Sequence, residues 1–376
     1  MKFLLIYVPN LRFSSFADPF RIYTLKEVLQ RISFPVTVDE NKLYYQIGIR
    51  SHSKGIFYKE AEIGKQIGNK RIFWIEPNCL ILNIVFAWEQ AVAKTSEKEV
   101  GMVASHRFPM YKVLNNSLDY IVDFFKTEKG KQLLQMASPG GAGRNKTLNQ
   151  DFFLNSKIYL PSLNEQLKTS NLIKLIEDRI ETQIKIIDDY ISLKMGIYNW
   201  MFKENYADYK LKQLAYIVKG DQINNDQLLS NGSYYMMNGG TSPSGYLDSY
   251  NVSENTISIS EGGNSCGYVQ FNSRPFWSGG HCYTIQNVNS AQIENKYLYH
   301  YLKHKEKEIM NLRIGTGLPN IQKKDLENFT IFVPSLLIQR KNLALFEMLD
   351  EKICILNEEL ERLEMQKKYL LRNMFI

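Results

Sequence analysis

The sequence is poor in cysteine, has no two consecutive prolines and has no long apolar run. Its four cysteines are Cys79, Cys266, Cys282 and Cys354. Because they form no CxxC pair, we expect neither a zinc site nor a disulfide framework, but free thiols in a reducing compartment. No apolar run reaches the ~20 residues of a membrane-spanning helix, and the apolar stretch over residues 3–8 ends at Pro9. We therefore expect a cytoplasmic protein with no membrane partner.

Catalytic motifs are missing as well. A phosphate-binding loop would need GxxxxGK followed by Ser or Thr, and the glycine-rich GGNSCG does not have the dinucleotide-binding spacing GxGxxG. An amino-methyltransferase would need Asn or Asp before two prolines and an aromatic residue, and the chain has no such pattern. The glycine clusters are therefore interpreted as turns, and we expect no cofactor in this chain.

Two histidines and one acidic pattern are weaker candidates for chemistry. His106 and His281 stand at comparable places, but neither has an acidic partner or a nucleophile in a recognisable arrangement. A packed or capping histidine is therefore favoured at both positions. Asp18 followed by Glu40 and Lys42 resembles a nuclease pattern, but so short a pattern arises readily by chance. The sequence thus indicates no catalytic residue and no metal ligand.

Length and charge allow a two-module protein that binds a polyanion. The 376 residues suffice for two cores, and 44% hydrophobic with 23% charged residues is typical of globular domains. The net charge of +7 is divided unevenly: residues 1–159 have a net charge of +8, residues 204–332 have −1, and the segments 160–203 and 333–376 are each neutral overall. A basic first module suits nucleic acid, whereas the rest of the chain would need a local basic patch.

One segment of the chain occurs twice. LPSLNEQ at residue 160 begins a stretch that returns, without a gap, as VPSLLIQ at residue 333. Ten of the 43 aligned positions are identical at a constant offset of 173 residues. A repeat of this period indicates the architecture of the whole chain.

Each copy predicts a long helix with a coiled-coil seam, because its core positions alternate spacings of three and four. In the first copy the seam is Ile173, Ile176, Ile180, Gln183, Ile187, Tyr190, Lys194 and Ile197. In the second it is Phe346, Leu349, Ile353, Leu356, Leu360, Leu363, Lys367 and Leu370. About 33 residues per helix correspond to roughly 50 Å, and Pro161 and Pro334 stand just upstream, where a proline does no harm.

The best partner for each helix is the other copy. Antiparallel packing would relate the two halves by a pseudo-twofold axis and would bring Lys194 and Lys367 near helix ends, where their heads reach water. The alternative is that each helix packs on its own globular neighbour or on other chains. The predicted domains are therefore 1–159, a helix in 160–203, a second domain 204–332 and a helix in 333–376.

The globular segments predict an α+β fold with short strands and glycine-rich turns. In the second module we expect strands at 256–260, 268–271 and 329–333, and a helix near 294–310. The first module follows the same plan: residues 24–28 correspond to 210–214, 79–83 to 256–260, and 104–107 to 279–282. The loops differ throughout, which indicates similar tasks with different targets.

Loop Arg, Lys and Asn side chains are candidates for DNA contacts, because they pair with base edges or with phosphates. In the first module these are Arg50, Lys54, Lys70, Arg71, Arg107, Arg144 and Lys146; in the second they are Lys219, Asn238, Arg274, Arg313, Lys323 and Lys324.

The whole chain resembles the DNA-specificity subunit of type I restriction-modification enzymes. The similarity lies in VPNLRFSSF at residues 8–16, in the two Pro-to-Gln helix entries, and in the loop sequences at 238–246, 278–281 and 315–321. The resemblance implies two target-recognition domains, separated by antiparallel helices, that read a bipartite, gapped site in double-stranded DNA. It also implies phage defence as the setting.

The resemblance further implies a subunit without catalytic activity. Two methyltransferase subunits, which bind S-adenosylmethionine, and two ATP- and Mg²⁺-dependent restriction subunits would be its partners, and the helices would help to recruit the methyltransferases. Two other classes of function stay open: a coiled-coil adaptor without a DNA function, and a stand-alone DNA-modifying enzyme without a recognised motif.

Overall fold

The computed structural model of the chain describes residues 8–140, 146–202, 206–315, 317 and 319–376. Contacts divide the chain into two compact units. The first unit consists of Met1–Gln183 with Glu359–Ile376, and the second of Ile184–Glu358. Each unit thus contains one part of each long helix. The predicted domain bounds differ from this division, because they were placed at the ends of the helices and not within them.

The α-helices are α1 (Leu25–Val28), α2 (Gly64–Ile67), α3 (Leu118–Lys126), α4 (Glu128–Met136), α5 (Gln150–Asn155), α6 (Leu163–Met201), α7 (Leu211–Leu214), α8 (Asn295–His304), α9 (Glu306–Met310), α10 (Lys323–Glu327) and α11 (Leu336–Asn373). Short 3₁₀ helices lie at Ala87–Glu89, Glu97–Glu99 and Asn225–Gln227.

The strands of the first unit are β1 (Arg21–Thr24), β2 (Leu29–Ile32), β3 (Leu43–Tyr44), β4 (Ile47–Ile49), β5 (Ile56–Tyr58), β6 (Glu62–Ile63), β7 (Ile72–Trp74), β8 (Leu80–Leu82), β9 (Val92–Lys94), β10 (Val103–Ser105), β11 (Met110–Val113) and β12 (Lys157–Leu160). Those of the second are β13 (Ala207–Lys210), β14 (Tyr216–Lys219), β15 (Tyr234–Met237), β16 (Gly245–Leu247), β17 (Thr256–Ser260), β18 (Val269–Asn272), β19 (Trp277–Ser278), β20 (Cys282–Gln286) and β21 (Thr330–Val333).

The first unit is built on a four-stranded antiparallel sheet with the order β2-β11-β8-β9. The central strand β8 is buried on both faces, which suits its sequence Leu-Ile-Leu. Leu80 and Leu82 face a core formed with α3, α4 and α5. A separate ribbon pairs β1 with β12, so the strand that opens the domain lies beside the strand that leads into α6.

The second unit repeats this frame. Its main sheet has the order β14-β20-β17-β18, its ribbon pairs β13 with β21, and α7 follows β13 as α1 follows β1. The predicted α+β fold is confirmed. Outside the frame the units differ: the first has the small pairs β3-β6, β4-β5 and β10-β7, and the second has the three-stranded sheet β16-β15-β19.

The prediction of a single helix near residues 294–310 is wrong. The segment forms two helices, α8 and α9, joined at Lys305, whose backbone leaves helical geometry with φ −86° and ψ 10°. Glu306 then begins α9, where its carboxylate accepts from the backbone N–H of Val269 at 2.8 Å and from the ammonium of Lys303. The turn between the helices thus directs the Glu306 carboxylate towards two donors, and a straight helix would direct it elsewhere.

The two long helices are longer than predicted, with 39 residues in α6 and 38 in α11. Each begins two residues after its proline and buries a glutamine in its first turn. Gln166 donates to Pro161 O at 2.9 Å and accepts from the backbone N–H of Ser117 at 2.9 Å. Gln339 donates to Pro334 O at 2.8 Å and accepts from the N–H of Glu294 at 2.8 Å.

These glutamines explain the Pro-to-Gln spacing of the repeat. Ser117 and Glu294 are the N-cap residues of α3 and α8, so each glutamine ties the start of a long helix to the start of a core helix. Each glutamine is buried and both donates to and accepts from the backbone, and Gln166 also donates to Asn116 Oδ1 at 2.7 Å. No other side chain of similar size supplies the same donor and acceptor.

Within each unit, segments of the two long helices run antiparallel. In the first unit Lys367 pairs with Glu177 at 2.8 Å, and in the second Lys194 pairs with Asp350. The two ion pairs are equivalent in the repeat, because Lys194 and Glu177 lie 173 residues before Lys367 and Asp350. Both lysine side chains are partly exposed, at 19% for Lys194 and 30% for Lys367, and the antiparallel arrangement brings an acidic side chain opposite each of them.

The seam side chains are buried or partly buried at all sixteen heptad positions. The last turn of each helix enters a globular core. Phe202, at the end of α6, packs on Tyr297 and Phe346 in the second unit, with ring centroids 5.4 and 5.6 Å apart. Phe375, after α11, packs on Tyr120 in the first unit at 4.7 Å. The repeated Met-Phe ending thus completes a core in each unit.

We expect Gln339→Leu to lower the free energy of unfolding by about 2 to 4 kcal/mol, because it leaves the N–H of Glu294 and the carbonyl of Pro334 without their partner. The matched control is Lys341→Leu on the exposed side of the same helix, where the change should stay within about 0.5 kcal/mol. Urea denaturation of both variants measures the difference. Equal effects would mean that the buried glutamine is dispensable.

The buried His300 makes stability depend on pH. Burial lowers the pKa of His300 to about 4, and Tyr198 Oη lies 2.8 Å from its Nδ1. The unfolded chain, with an ordinary value near 6.5, binds the proton more tightly, so the stability is complete above about pH 6.5 and is lost as the pH falls towards 4.

Between pH 7.5 and pH 5 the wild type should lose about 2 kcal/mol more than His300→Gln. Denaturation curves at both pH values measure this difference. His304, whose pKa burial also lowers, is present in both proteins and therefore cancels. Parallel losses in the two proteins would contradict the assignment to His300.

Candidate nucleic-acid interface

In the second unit, glycine-containing loops converge at one place. Gly263 N–H donates to Pro319 O at 3.0 Å, and Gly279 N–H donates to Met237 O at 2.8 Å. A Cβ atom on Gly279 would come within 2.7 Å of Asn238 Oδ1, so the close approach of these loops requires glycine there. The glycine clusters are turns, as predicted, and they position the polar side chains between them.

Glu261 lies at the centre of this loop cluster, immediately after β17. Its side chain is 8% exposed, and its Oε1 accepts from Lys219 Nζ at 2.7 Å and from Tyr283 Oη at 3.1 Å. Burial, with the Glu261 charge, raises the pKa of Tyr283, so this phenol stays protonated and donates. The second oxygen, Oε2, is buried without a hydrogen bond, and His281 Nδ1 lies 3.8 Å from it.

His281 is held at the same cluster through its backbone. Its N–H donates to Asn238 Oδ1 at 2.9 Å, and its carbonyl accepts from the N–H of Glu261 at 2.9 Å. Its side chain is 60% exposed, so of the two expectations, a packed or a capping histidine, the packed one is wrong here. The residue sits on a loop whose backbone is fixed by two hydrogen bonds, which leaves the ring at the surface.

The cluster brings together only some of the second-module candidates. Lys219 and Asn238 belong to it, whereas Lys323 lies beside it through a backbone hydrogen bond to Tyr283 and pairs its own ammonium with Glu327 at 3.7 Å. Arg313 is exposed near Cys266, whose thiol donates to Glu261 O. The remaining two candidates, Arg274 and Lys324, are exposed.

In the first unit, basic side chains line a cavity of about 230 Å³. Arg31, Arg71 and His106 contribute to its wall, together with Gln150, which accepts from Tyr111 Oη at 3.2 Å. The N–H of His106 donates to Arg71 O at 3.1 Å, which joins the two loops. Arg31 lies in a strand, so a search for basic loop residues misses it.

Of the other first-module candidates, Arg107 directly follows His106 in the chain, whereas Arg50, Lys54, Lys70 and Lys146 lie elsewhere on the surface of the unit. Arg50 stacks over Phe57 at 5.3 Å, and Lys146 over Trp88 at 5.1 Å. Lys54, Lys70 and Arg107 are exposed. Arg144 lies outside the described residues.

Backbone hydrogen bonds show that the two polar clusters occupy the same place in the repeated frame. In the second unit Glu261 N–H donates to His281 O, and the N–H of Ile321 donates to Glu261 O. In the first unit Ile84 N–H donates to Arg107 O at 3.0 Å, and the N–H of Leu148 donates to Ile84 O at 2.8 Å.

This pattern aligns Glu261 with Ile84 and His281 with Arg107. The sequence suggested aligning His106 with His281, which is therefore wrong by one residue. The pairing of β11 with β8, continued into the loop, places Arg107 opposite Ile84, as the pairing of β20 with β17 places His281 opposite Glu261. The same location thus holds an aliphatic and an arginine side chain in one unit, and a carboxylate and an imidazole in the other.

The described part of the chain contains no cluster of three or more His, Cys, Asp or Glu side chains that could hold a metal ion. No helix among the described residues is long and apolar enough to cross a membrane. The cysteines are free, and burial raises the pKa of Cys282 to about 11, so this thiol stays protonated at neutral pH.

Known proteins resemble the chain in sequence and in fold. The family described as the type I restriction modification DNA specificity domain matches residues 203–365. A Mycoplasma pneumoniae protein provisionally named a type I specificity subunit is 34% identical over 158 residues, which are 42% of this chain and 42% of that protein. A similarly named Mycoplasma genitalium protein is 32% identical over 127 residues, 34% of this chain and 33% of that protein.

The fold extends further than these alignments, each of which spans less than half of the relative's own length. The crystal structure of a type I restriction-modification system S subunit from Mycoplasma genitalium has a TM-score of 0.65 and covers 98% of this chain and 99% of that chain at 16% identity. Residues 203–365 thus match the type I restriction modification DNA specificity domain in sequence, and nearly the whole chain is similar in fold to an S subunit of such a system.

Proposed function

We propose that this chain is the DNA-binding subunit of a type I restriction-modification complex and that it recognises a bipartite, gapped site in double-stranded DNA. Each unit would read one half-site through its loop cluster. Methyltransferase subunits, expected as two copies, would supply S-adenosylmethionine chemistry, and two restriction subunits would supply ATP- and Mg²⁺-dependent cleavage. The complex would act in the cytoplasm, in defence against phage DNA.

The observation that carries this proposal is one frame with two different clusters. Both units have the same sheet order and the same hydrogen bonds around Ile84 and Glu261. The side chains placed there are unlike, with Arg31, Arg71 and His106 in one unit and Lys219 and His281 in the other. A shared frame that presents different donors suits two different half-sites, because base edges are distinguished by their donor and acceptor patterns.

The long helices support a gapped site. A 39-residue helix is about 58 Å long, which exceeds the roughly 34 Å of one turn of DNA. Two reading domains on a chain with helices of this length suit half-sites about one turn apart.

The second unit also offers a surface for a partner subunit. The part of α6 in this unit exposes apolar side chains on both sides of the seam: Ile184, Ile186, Ile191, Leu193 and Met195. Ile186 and Leu193 form an apolar strip on one flank of the seam, and Ile184, Ile191 and Met195 lie on the other. Exposed apolar side chains grouped in this way are typical of a helix that docks another protein. We propose that a methyltransferase subunit covers the strip.

The chain itself would have no catalytic activity and would leave the chemistry to its partner subunits. Incubation of the purified chain with DNA, S-adenosylmethionine, ATP and Mg²⁺ should give no turnover, and turnover would favour a stand-alone enzyme. An adaptor without a DNA function would show no salt-dependent, sequence-selective DNA binding when the methyltransferase is added.

The first test of the proposal is methylation mapping. Genomic DNA from cells with and without this gene should differ by methylation at a gapped site with halves about one helical turn apart. Replacing residues 204–332 with the corresponding segment of a relative should change one half-site and preserve the other. A single continuous site, or a change in both halves, would contradict two independent reading units.

The second test concerns the apolar strip. Ile186→Glu with Leu193→Glu should preserve the melting temperature of the isolated chain but reduce copurification of the methyltransferase at least tenfold, because two charges would enter an apolar interface. The matched control is Ser192→Glu with Asn199→Glu, which adds the same charge on the outer side of α6. If both pairs of substitutions copurify the methyltransferase equally, the strip is not its docking surface.

A further inference from the structure

Glu261 is an unexpected residue to find at a DNA-binding cluster. A carboxylate opposes DNA phosphates, and burying one costs free energy unless it is well paired. The Glu261 side chain is only 8% exposed, and of its two carboxylate oxygens only Oε1 has hydrogen-bond partners. Oε2 is enclosed, so it cannot itself reach a base edge. The carboxylate must therefore act on DNA indirectly, by positioning the side chains beside it.

Two donor groups lie beside the carboxylate and reach the surface. Lys219 Nζ is 2.7 Å from Oε1, and its side chain is 52% exposed. His281 Nδ1 is 3.8 Å from Oε2, and its backbone is fixed on both sides by Asn238 and by Glu261 itself. Glu261 is thus the charged group common to both side chains, and its fixed position limits where the two donors can point.

We propose that Glu261 is a positioning residue that orients Lys219 and His281 towards one guanine of the half-site read by the second unit. This inference rests on the proposed function. Lysine offers only donors, and a histidine ring offers an N–H donor at the nitrogen that carries its proton. Guanine is the base whose major-groove edge offers two acceptors, O6 and N7, and lysine is a common reader of that edge.

The first unit provides an internal control for this arrangement. Ile84 occupies the place of Glu261 there and makes the same backbone hydrogen bonds. An aliphatic side chain cannot orient cations, so the device belongs to the second unit. A substitution at Glu261 should therefore alter one half-site only.

The test uses the complex of the full chain with its methyltransferase and a DNA library randomised at both half-sites. In the wild type we expect a guanine at one position of the second unit's half-site. In Glu261→Gln the preference for this guanine should fall about tenfold, within the range expected for one base contact. Binding to non-specific DNA should be unchanged or tighter, because a negative charge has been removed.

A merely structural role for Glu261 gives a different pattern. It would lower the melting temperature and weaken recognition at all positions of the half-site together. The matched control is Glu254→Gln, an exposed acid before β17 in the same unit, which should leave every preference unchanged. Lys219→Met removes the donor itself, and it should reproduce the loss of the same guanine even if Glu261→Gln folds poorly.

The outcomes separate the inference from the proposed function. If the wild-type complex shows no sequence selectivity, the proposed function itself is wrong. If the wild type is selective but Glu261→Gln and Lys219→Met keep the guanine preference, only the role of Glu261 is wrong. Loss of preference in the other half-site would also overturn it.

Discussion

The apolar seam of each long helix has to be covered, and the rest of the structure depends on how this is done. Helices of 39 and 38 residues with one apolar stripe are not stable alone in water. In each unit, part of one helix runs antiparallel to part of the other, and a Lys–acid pair fixes the arrangement. The same helices begin at a buried glutamine and end with a phenylalanine in a core, so covering the seam also completes each globular unit.

Repetition in this protein is strongest where backbone groups must be satisfied. Pro161 and Gln166 return as Pro334 and Gln339 because each pair closes the entry to a long helix with the same hydrogen bonds. The loops after β8 and β17 keep only their backbone pattern, and their side chains differ. A frame held by main-chain hydrogen bonds leaves its loop side chains available for change, which is the property that the proposed reading of two different half-sites requires.

The sequence predicted the large features well and the polar contacts poorly. The repeat predicted two long helices, the α+β modules and the common strand plan, because heptads and alternating apolar residues are local signals. The break at Lys305 was missed, since it depends on the carboxylate of Glu306 meeting Val269 from a distant strand. The exposed ring of His281 and the place of Arg31 in the cavity of the first unit do not follow from residue type, because exposure and proximity depend on the path of the chain.

By itself, the sequence determined that this chain has two equivalent halves joined by antiparallel helices. In the antiparallel arrangement each seam lysine lies opposite an acid of the other copy, and the two pairs are equivalent at the offset of 173 residues, so the repeat contains both partners of each pair. Only the tertiary structure decided which polar groups meet. Lys219, Glu261 and His281 come from two strand ends and a loop separated by tens of residues, and sheet register with glycine turns brings them together. Contacts of this kind depend on long-range geometry, which local sequence patterns do not encode.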